Sequence, residues 1–232
     1  MKRLKKGLAC LLCLALLLPN ALWADAEEPP LLIAEEGSGE SAEELIQESA
    51  DDVWLPVDTV PTEAAALEVG GKSAILMDQT SGTVLFEKNA HEKLAIASVT
   101  KVMTLLLVME ALDQGRITLE DPVTCSDVAA SMGGSQIWLE PGEIMTVHEL
   151  LKAAAVVSAN DACAALAEHI SGSIEGFVAE MNTRAAELGM NDTLFLDCSG
   201  LSDDAYSSAY DVALMSRELM KHEKITEYTT IW

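Results

Sequence analysis

The sequence predicts an α+β domain in which a β-hairpin is followed mainly by helices. Two strand-like runs, KSAILMD and GTVLFEKN, flank the turn residues Gln79, Thr80 and Ser81, and this order indicates a hairpin. Beyond the hairpin, apolar residues recur with helical spacing between recognisable caps and breakers. Because an isolated two-stranded hairpin is not stable in water, we expect it to be part of a larger sheet.

The first residues predict a secretory signal peptide over residues 1–24. The four basic residues of MKRLKKG precede the apolar run LACLLCLALLL, and ALWADA offers small residues for cleavage after Ala24 or Ala26. The apolar run is short for a helix that spans a bilayer. We therefore expect an exported protein that works extracellularly or on the envelope side of the cytoplasmic membrane.

Residues 25–68 predict a disordered acidic linker. They contain fourteen Asp or Glu residues and no Lys or Arg. Such a segment cannot bury enough apolar surface to offset the entropy that is lost on ordering. A specific acidic binding tail is the alternative interpretation. The folded region is then expected over residues 69–232, which is the size of one domain.

The composition of the exported chain limits its partners and its cross-links. Removal of the four basic residues of the signal takes the formal net charge from −24 to about −28, and so strongly acidic a protein is not expected to bind nucleic acid. Three cysteines remain, Cys125, Cys163 and Cys198, and they are not closely spaced. We expect buried thiols rather than a disulfide scaffold.

Caps and turn residues give the bounds of the predicted helices. Thr146 and Glu149 have the spacing of a capping box at one start. Gly189 stands where a helix would end in a left-handed residue. The predicted helices span Ser98–Leu112, Thr146–Val157, Asn160–Ile170, Ile174–Leu188 and Ser208–Lys221.

The segment Ser98-Val99-Thr100-Lys101 places a hydroxyl and an amine one helical turn apart. Residues three positions apart share a helix face, so the two groups can meet. The spacing alone also arises by chance, but here the run VMTLLLVM follows it and predicts a buried helix. Burial favours the uncharged form of a lysine amine, which can then take the proton of the hydroxyl. Ser98 and Lys101 are therefore a candidate nucleophile and base.

The segment Ser158-Ala159-Asn160 is the second candidate for chemistry. It joins two apolar helices, so a hydroxyl and an amide two residues apart can point into one cleft. The hydroxyl could relay a proton to a leaving group, and the amide could hold a substrate carbonyl. The alternative is that Ser158 or Asn160 merely caps the helix that follows.

The two motifs together resemble those of the active-site serine family of penicillin-recognising enzymes. The resemblance is strongest to the D-alanyl-D-alanine carboxypeptidases of the peptidase S11 type, the low-molecular-mass penicillin-binding proteins. It covers residues 70–232 and includes ASVTKVMT, GSQIWLEPGEIMTVHELLKAAAVVSAND, LGMNDTLFLDCSGL and YSSAYDVALMSRELM in order. It implies a β-lactamase/transpeptidase-like fold, an antiparallel sheet flanked by a mainly helical subdomain.

The resemblance also implies a role for each site residue. Ser98 would form the acyl-enzyme, Lys101 would be the general base, and Ser158 and Asn160 would complete the proton relay and the substrate contacts. The substrate would be the peptidoglycan pentapeptide, from which the terminal D-alanine is removed, and β-lactams would acylate the same serine. Neither a metal nor a cofactor is expected, since His91-Glu92 and His148-Glu149 lack the second histidine of a zinc-protease helix.

One feature of the family is missing from the sequence. The K-T-G motif, whose lysine engages the substrate carboxylate in the family, is not found. We expect it beyond Trp232, together with the remaining strands and a C-terminal anchor to the membrane surface. A chain truncated before this motif would turn over substrate weakly or not at all. A β-lactamase of the same fold and a non-catalytic module that binds the cell wall are the alternative functions.

Overall fold

A computed structural model describes residues 67–231. The predicted signal peptide and the predicted linker up to residue 66 lie outside the described residues. Within the described range, the chain forms two separate two-stranded antiparallel sheets and a set of helices around one hydrophobic core. No helix among residues 67–231 is long and apolar enough to cross a membrane.

The predicted hairpin is confirmed, with shorter strands than the sequence suggested. Strand β1 (Ala74–Met77) pairs antiparallel with β2 (Val84–Lys88), and the register shifts between Leu76 and Met77. Asp78 closes the turn, because its carboxylate accepts hydrogen bonds from both the backbone N–H and the hydroxyl of Ser81, at 2.7 and 2.6 Å. The turn is held by hydrogen bonds between residues close in sequence, which is why it could be predicted from the sequence.

A second two-stranded antiparallel sheet was not predicted from the sequence. Strands β3 (Pro122–Thr124) and β4 (Ile144–Thr146) pair antiparallel across a long connection. Each strand has only three residues, which is too short for an alternating pattern to be recognised. Pro122 begins β3 and is tolerated there because the first residue of a strand need not donate to its partner.

The five predicted helices are found in order, with bounds that differ by at most three residues, and two further helices of four residues each were not predicted. The Thr146–Glu149 capping box is present in full, and Ser208 caps the helix near the C-terminus by accepting from Asp211 N–H. The helices are α1 (Lys101–Asp113), α2 (Asp127–Ala130), α3 (Val147–Val157), α4 (Asn160–Ser171), α5 (Ile174–Glu187), α6 (Ala209–Leu219) and α7 (Thr226–Thr229), with 3₁₀ turns at Ala97–Thr100 and Glu223–Ile225.

Helix α1 forms the centre of the core. Its buried positions lie on every side of the helix, and α3, α4, α5 and α6 pack around it. A helix that is apolar all round is stable only when it is enclosed. The buried helix predicted from VMTLLLVM is confirmed, and its N-terminal end carries Lys101 into the protein interior, where the residue is 4% exposed.

Asp211 is a buried carboxylate that fastens α6 to the chain before it. One of its oxygens accepts from the backbone N–H of Asp192 and from the hydroxyl of Thr193, both at 2.7 Å. Removal of this acceptor takes a partner from two half-buried donors, and loss of a hydrogen bond to a charged acceptor costs about 1–3 kcal/mol.

We therefore expect Asp211→Ala to lower the free energy of unfolding by about 2–4 kcal/mol. Urea melts followed by circular dichroism measure this change. Asp203→Ala is the control, because Asp203 is exposed and its loss should change stability by less than about 0.5 kcal/mol. Equal effects of the two substitutions would contradict a structural role for the buried carboxylate.

Candidate active site

The structure brings Ser98 and Lys101 together. Lys101 Nζ lies 3.1 Å from Ser98 Oγ, within hydrogen-bond distance. Ser98 was predicted in the first turn of the long α-helix, and this detail is wrong. It lies in the 3₁₀ turn Ala97–Thr100, and Lys101 is the first residue of α1. The tighter turn still places residues three positions apart over each other, so the predicted meeting of hydroxyl and amine is preserved.

The Lys101 amine has a second partner from a distant part of the chain. Nζ donates a hydrogen bond of 2.7 Å to the backbone carbonyl of Ser199. A buried amine needs such a partner, because burial without a hydrogen bond is costly. An uncharged amine that donates to this carbonyl would keep a lone pair able to accept the hydroxyl proton of Ser98.

The carbonyl that binds Lys101 belongs to a turn organised by Asp197. The Asp197 carboxylate accepts backbone N–H groups of Ser199 at 2.6 Å, of Ser202 at 2.7 Å, and of Gly200. Burial would raise the pKa of this carboxyl, but these backbone donors outweigh burial and hold the pKa below its usual range. Asp197 is therefore ionised at neutral pH.

Gly200 packs directly against the turn that carries the nucleophile. It has φ +83°, and a Cβ atom there would overlap the Ala97 carbonyl and lie 3.0 Å from Ser98 N. Ala97 is itself in a left-handed conformation, with φ +45°. The close approach of two backbones therefore requires glycine at position 200.

Asn160 is held by the loop that follows α2. Its side-chain Nδ2 donates to the Gly133 carbonyl at 2.6 Å, and its backbone N–H donates to the Ser135 carbonyl at 2.7 Å. Its Oδ1 is buried and has no hydrogen-bond partner among residues 67–231. A Cβ atom on Gly134 would lie 2.7 Å from Asn160 Nδ2 and 3.4 Å from Leu201. Leu201 follows Gly200, which packs against the 3₁₀ turn Ala97–Thr100. Asn160 therefore borders the same region as the turn that carries Ser98.

Asp161 supports this loop from the next position on α4. It is 1% exposed, and its carboxylate accepts the backbone N–H groups of Ile137 and Leu139 at 3.1–3.2 Å. A buried carboxylate that is satisfied by backbone donors fixes a loop firmly. The position of Asn160 therefore depends on a residue that the sequence analysis did not single out.

Ser158 lies at the C-terminal end of α3 in a left-handed conformation, with φ 59° and ψ 38°. The residue at the N-cap of α4 is Ala159, which makes no side-chain cap. The interpretation of Ser158 or Asn160 as a simple cap is therefore wrong. The described hydrogen bonds of the Lys101 amine join it to Ser98 and Ser199. A non-glycine residue in this conformation is strained, as is common at functional sites.

Two buried thiols lie near the Lys101 amine, and both are protonated and therefore unreactive. Burial raises the pKa of the Cys163 thiol far above its usual range. Burial, with a further contribution from the charge of Asp197, raises the pKa of the Cys198 thiol to about 12. The thiols of Cys125, Cys163 and Cys198 are free and buried, as expected from the sequence. Because a protonated thiol is a poor nucleophile, neither of the two competes with Ser98.

The arrangement of Ser98 and Lys101 is suited to nucleophilic chemistry. Residues 67–231 contain no cluster of three or more His, Cys, Asp or Glu side chains that could hold a metal ion. The arrangement instead offers a hydroxyl beside a buried amine, which is a nucleophile with its base. Asp197, Ser199 and Gly200 were not predicted as site residues, although D-C-S-G is a recognisable turn signal in which an aspartate binds the backbone two residues on.

The chain belongs to the D-alanyl-D-alanine carboxypeptidase family, peptidase S11, whose family model matches residues 59–231. The resemblance inferred from the motifs is thus confirmed, as is the transpeptidase-like fold. The D-alanyl-D-alanine carboxypeptidase DacF of Bacillus subtilis is 57% identical over 159 residues, which are 68% of this chain and 41% of that protein. The chain spans about two-fifths of the length of the curated relatives that it matches first.

Solved structures show the same relationship. Penicillin-binding protein 6B from Escherichia coli aligns with a TM-score of 0.69 and 36% identity, over 73% of this chain and 56% of that one. Penicillin-binding protein D2 from Listeria monocytogenes, in its ampicillin-bound form, aligns with a TM-score of 0.61 and 30% identity, over 70% of this chain and 66% of that one.

The contact between Gly200 and Ala97 can be tested by substitution. We expect Gly200→Ala to destabilise the fold by several kcal/mol, because backbone strain of about 1–3 kcal/mol is added to a steric overlap. Gly172→Ala is the matched control, since Gly172 also has a positive φ, of +78°, but has no atom within 4 Å of the added carbon. Denaturant melts compare the two. A loss no larger at Gly200 than at Gly172 would show that the overlap is relieved at little cost.

Asp197 should make the stability of the fold depend on acid. Its folded pKa lies below the value of about 3.9 for an unfolded aspartate. It therefore contributes stability that is present above the unfolded value and is lost as the pH falls through the folded value. Unfolding free energies measured between about pH 5 and about pH 2 should fall less steeply in Asp197→Asn than in the wild type. Parallel curves for the two proteins would be the contrary result.

Proposed function

We propose that the protein is a serine-type D-alanyl-D-alanine carboxypeptidase that removes the terminal D-alanine from peptidoglycan stem pentapeptides. The observation that carries the proposal is the separation of 3.1 Å between Ser98 Oγ and the buried Lys101 amine, in a chain of this family. The named relatives are carboxypeptidases rather than β-lactamases or binding modules, so neither alternative function is favoured.

In the first step, Ser98 Oγ attacks the carbonyl carbon of the scissile peptide bond, and the hydroxyl proton passes to the uncharged Lys101 amine. The Ser199 carbonyl orients that amine. The backbone N–H of Ser98 is the proposed donor to the oxyanion that forms as the bond is made. The product of attack is a tetrahedral intermediate covalently attached to Ser98.

In the second step, the intermediate collapses and the carbon–nitrogen bond breaks. The leaving D-alanine takes a proton that originates from Lys101, and Ser158 is the residue proposed to relay it. Water then attacks the acyl-enzyme, with Lys101 again as the base, and releases the shortened peptide and free Ser98. The overall reaction consumes one water molecule and regenerates both side chains.

Asn160 is proposed as the contact for the substrate backbone. Its buried Oδ1, without a partner among residues 67–231, can accept an N–H from the substrate peptide. Its Nδ2 has a second hydrogen beyond the one donated to Gly133, and that hydrogen can bind a carbonyl. An unsatisfied buried acceptor is costly, so a substrate that supplies the missing donor gains affinity.

The same chemistry implies inhibition by β-lactams and a location outside the cytoplasm. A β-lactam ring presents a strained amide to Ser98, and the ampicillin-bound relative from Listeria monocytogenes supports this extension. Because the substrate is cell-wall peptide, we propose that the protein is exported and acts at the cell envelope. Attachment to the membrane surface through a C-terminal anchor is part of the proposal and rests on the family resemblance alone.

The nucleophile is tested with a fluorescent penicillin. We expect the full-length wild-type protein to become covalently labelled and its Ser98→Ala variant to show no label, because the acyl bond has no oxygen to form on. Ser131→Ala is the control, since Ser131 is exposed and its hydroxyl donates to the Val128 carbonyl one helical turn earlier. Release of D-alanine from a synthetic pentapeptide, measured in parallel, tests the substrate.

Each result bears on one part of the proposal. Labelling that persists in Ser98→Ala would overturn the assignment of the nucleophile. Rapid loss of label with turnover of penicillin would indicate a β-lactamase. A wild type that binds cell-wall peptide but neither takes up label nor releases D-alanine would indicate a binding module.

A further inference from the structure

Asp197 holds the turn whose carbonyl binds the catalytic amine. Besides the backbone donors of Ser199, Gly200 and Ser202, the Ser199 hydroxyl donates to Asp197 Oδ1 at 3.2 Å. One carboxylate therefore fixes the backbone of a turn of six residues, 197–202. Such a cluster of donors around one ionised acceptor is stronger than the same number of neutral hydrogen bonds.

One peptide unit of this turn joins Asp197 to the amine. The N–H of Gly200 and the C=O of Ser199 belong to the same planar group. The N–H donates to Asp197, and the C=O accepts from Lys101 Nζ at 2.7 Å. The chain of contacts therefore runs from carboxylate to peptide to amine, and on to Ser98 Oγ 3.1 Å away.

The preceding peptide unit repeats the arrangement. The N–H of Ser199 donates to Asp197, and the C=O of Cys198 accepts from the Thr104 hydroxyl at 2.6 Å. Thr104 lies on α1, one turn beyond Lys101. Two successive peptides thus have their N–H groups on one carboxylate and their carbonyls on the helix that carries the amine, so the turn cannot rotate without breaking both sets of contacts.

The carboxylate also acts through its charge. Hydrogen bonds in series polarise one another, so an anion at the N–H end makes the carbonyl at the other end a better acceptor. The thiols of Cys163 on α4 and Cys198 in the turn also interact electrostatically with the amine, and burial keeps both protonated. Asp197 therefore supplies negative charge to this side of the amine.

We propose that Asp197 is a positioning residue for acylation, which acts through the Ser199–Gly200 peptide to aim the Lys101 amine at Ser98. The inference rests on the proposed function and adds to it a residue that itself touches neither substrate nor nucleophile. It separates two contributions of Asp197, the geometry of the turn and the charge behind the carbonyl.

Two substitutions distinguish these contributions. Asp197→Asn keeps an oxygen for the N–H groups of Ser199 and Gly200, but it removes the charge and places an NH₂ group against Ser202 N–H. Asp197→Ala removes every acceptor. Matched substitutions at Asp211 are the controls, because Asp211 is a buried carboxylate that, like Asp197, accepts a backbone N–H. It contacts neither Ser98 nor Lys101 through a described hydrogen bond.

The experiment measures the rate constant of acylation by fluorescent penicillin and the dissociation constant of the non-covalent complex, over a range of pH, with a thermal melt of each protein. We expect Asp197→Ala to lower the acylation rate constant roughly 10- to 100-fold and to change the dissociation constant less than about twofold. Asp197→Asn should recover part of the rate. The acid limb of its pH profile should move to lower pH, because a neighbouring negative charge no longer favours the protonated amine.

The Asp211 variants should lower Tm and leave the pH profile of acylation unchanged. If the Asp197 variants lose only Tm and acylate at the wild-type rate with the wild-type profile, Asp197 serves folding alone and the inference is wrong. If Asp197→Ala does not fold, the profile of Asp197→Asn decides. If the wild type itself is not labelled, the proposed function is wrong and the inference is wrong with it. If the wild type is labelled but the Asp197 variants keep its pH profile of acylation, only the inference is wrong.

Discussion

The hydrogen bond between the Lys101 amine and the Ser199 carbonyl is the contact on which the candidate site depends. Burial of an amine at the N-terminal end of a core helix is costly unless a polar partner meets it, and at 2.7 Å this carbonyl does so. The bond also sets the direction of the amine, and therefore which face of Ser98 it approaches. Folding energy and catalytic geometry are coupled in one interaction.

Two kinds of rigidity support that interaction. On one side, α1 is enclosed by other helices and cannot shift without opening the core. On the other side, hydrogen bonds to the Asp197 carboxylate hold the turn of residues 197–202, and Gly200 in this turn packs against the 3₁₀ turn that carries Ser98. A pair of side chains held between two rigid backbones loses little entropy on reaching the reactive geometry, which is the advantage of preorganisation in catalysis.

Hydrogen bonds to backbone groups also hold the opposite side of the site, at the start of α4. Asn160 and Asp161 are neighbours at the start of α4, and each binds backbone groups of the loop 133–139. The buried carboxylate of Asp161 is satisfied by the loop, whereas Asn160 Oδ1 has no partner in the part of the chain that the structure describes. The satisfied carboxylate fixes the loop, whereas a buried polar atom without a partner calls for an explanation, which the proposed contact with substrate would supply.

The sequence was sufficient for features that depend on local spacing. The capping box at Thr146, the first hairpin, the buried character of α1 and the meeting of Ser98 with Lys101 all involve residues a few positions apart, whose relative placement follows from helix and turn geometry. It was not sufficient for the three-residue strands β3 and β4, or for the partner of the amine. Ser199 lies 98 positions after Lys101, and Gly200 meets Ala97 across a similar separation. Contacts so far apart in the chain exist only once the helices have packed, because packing brings the two backbones together.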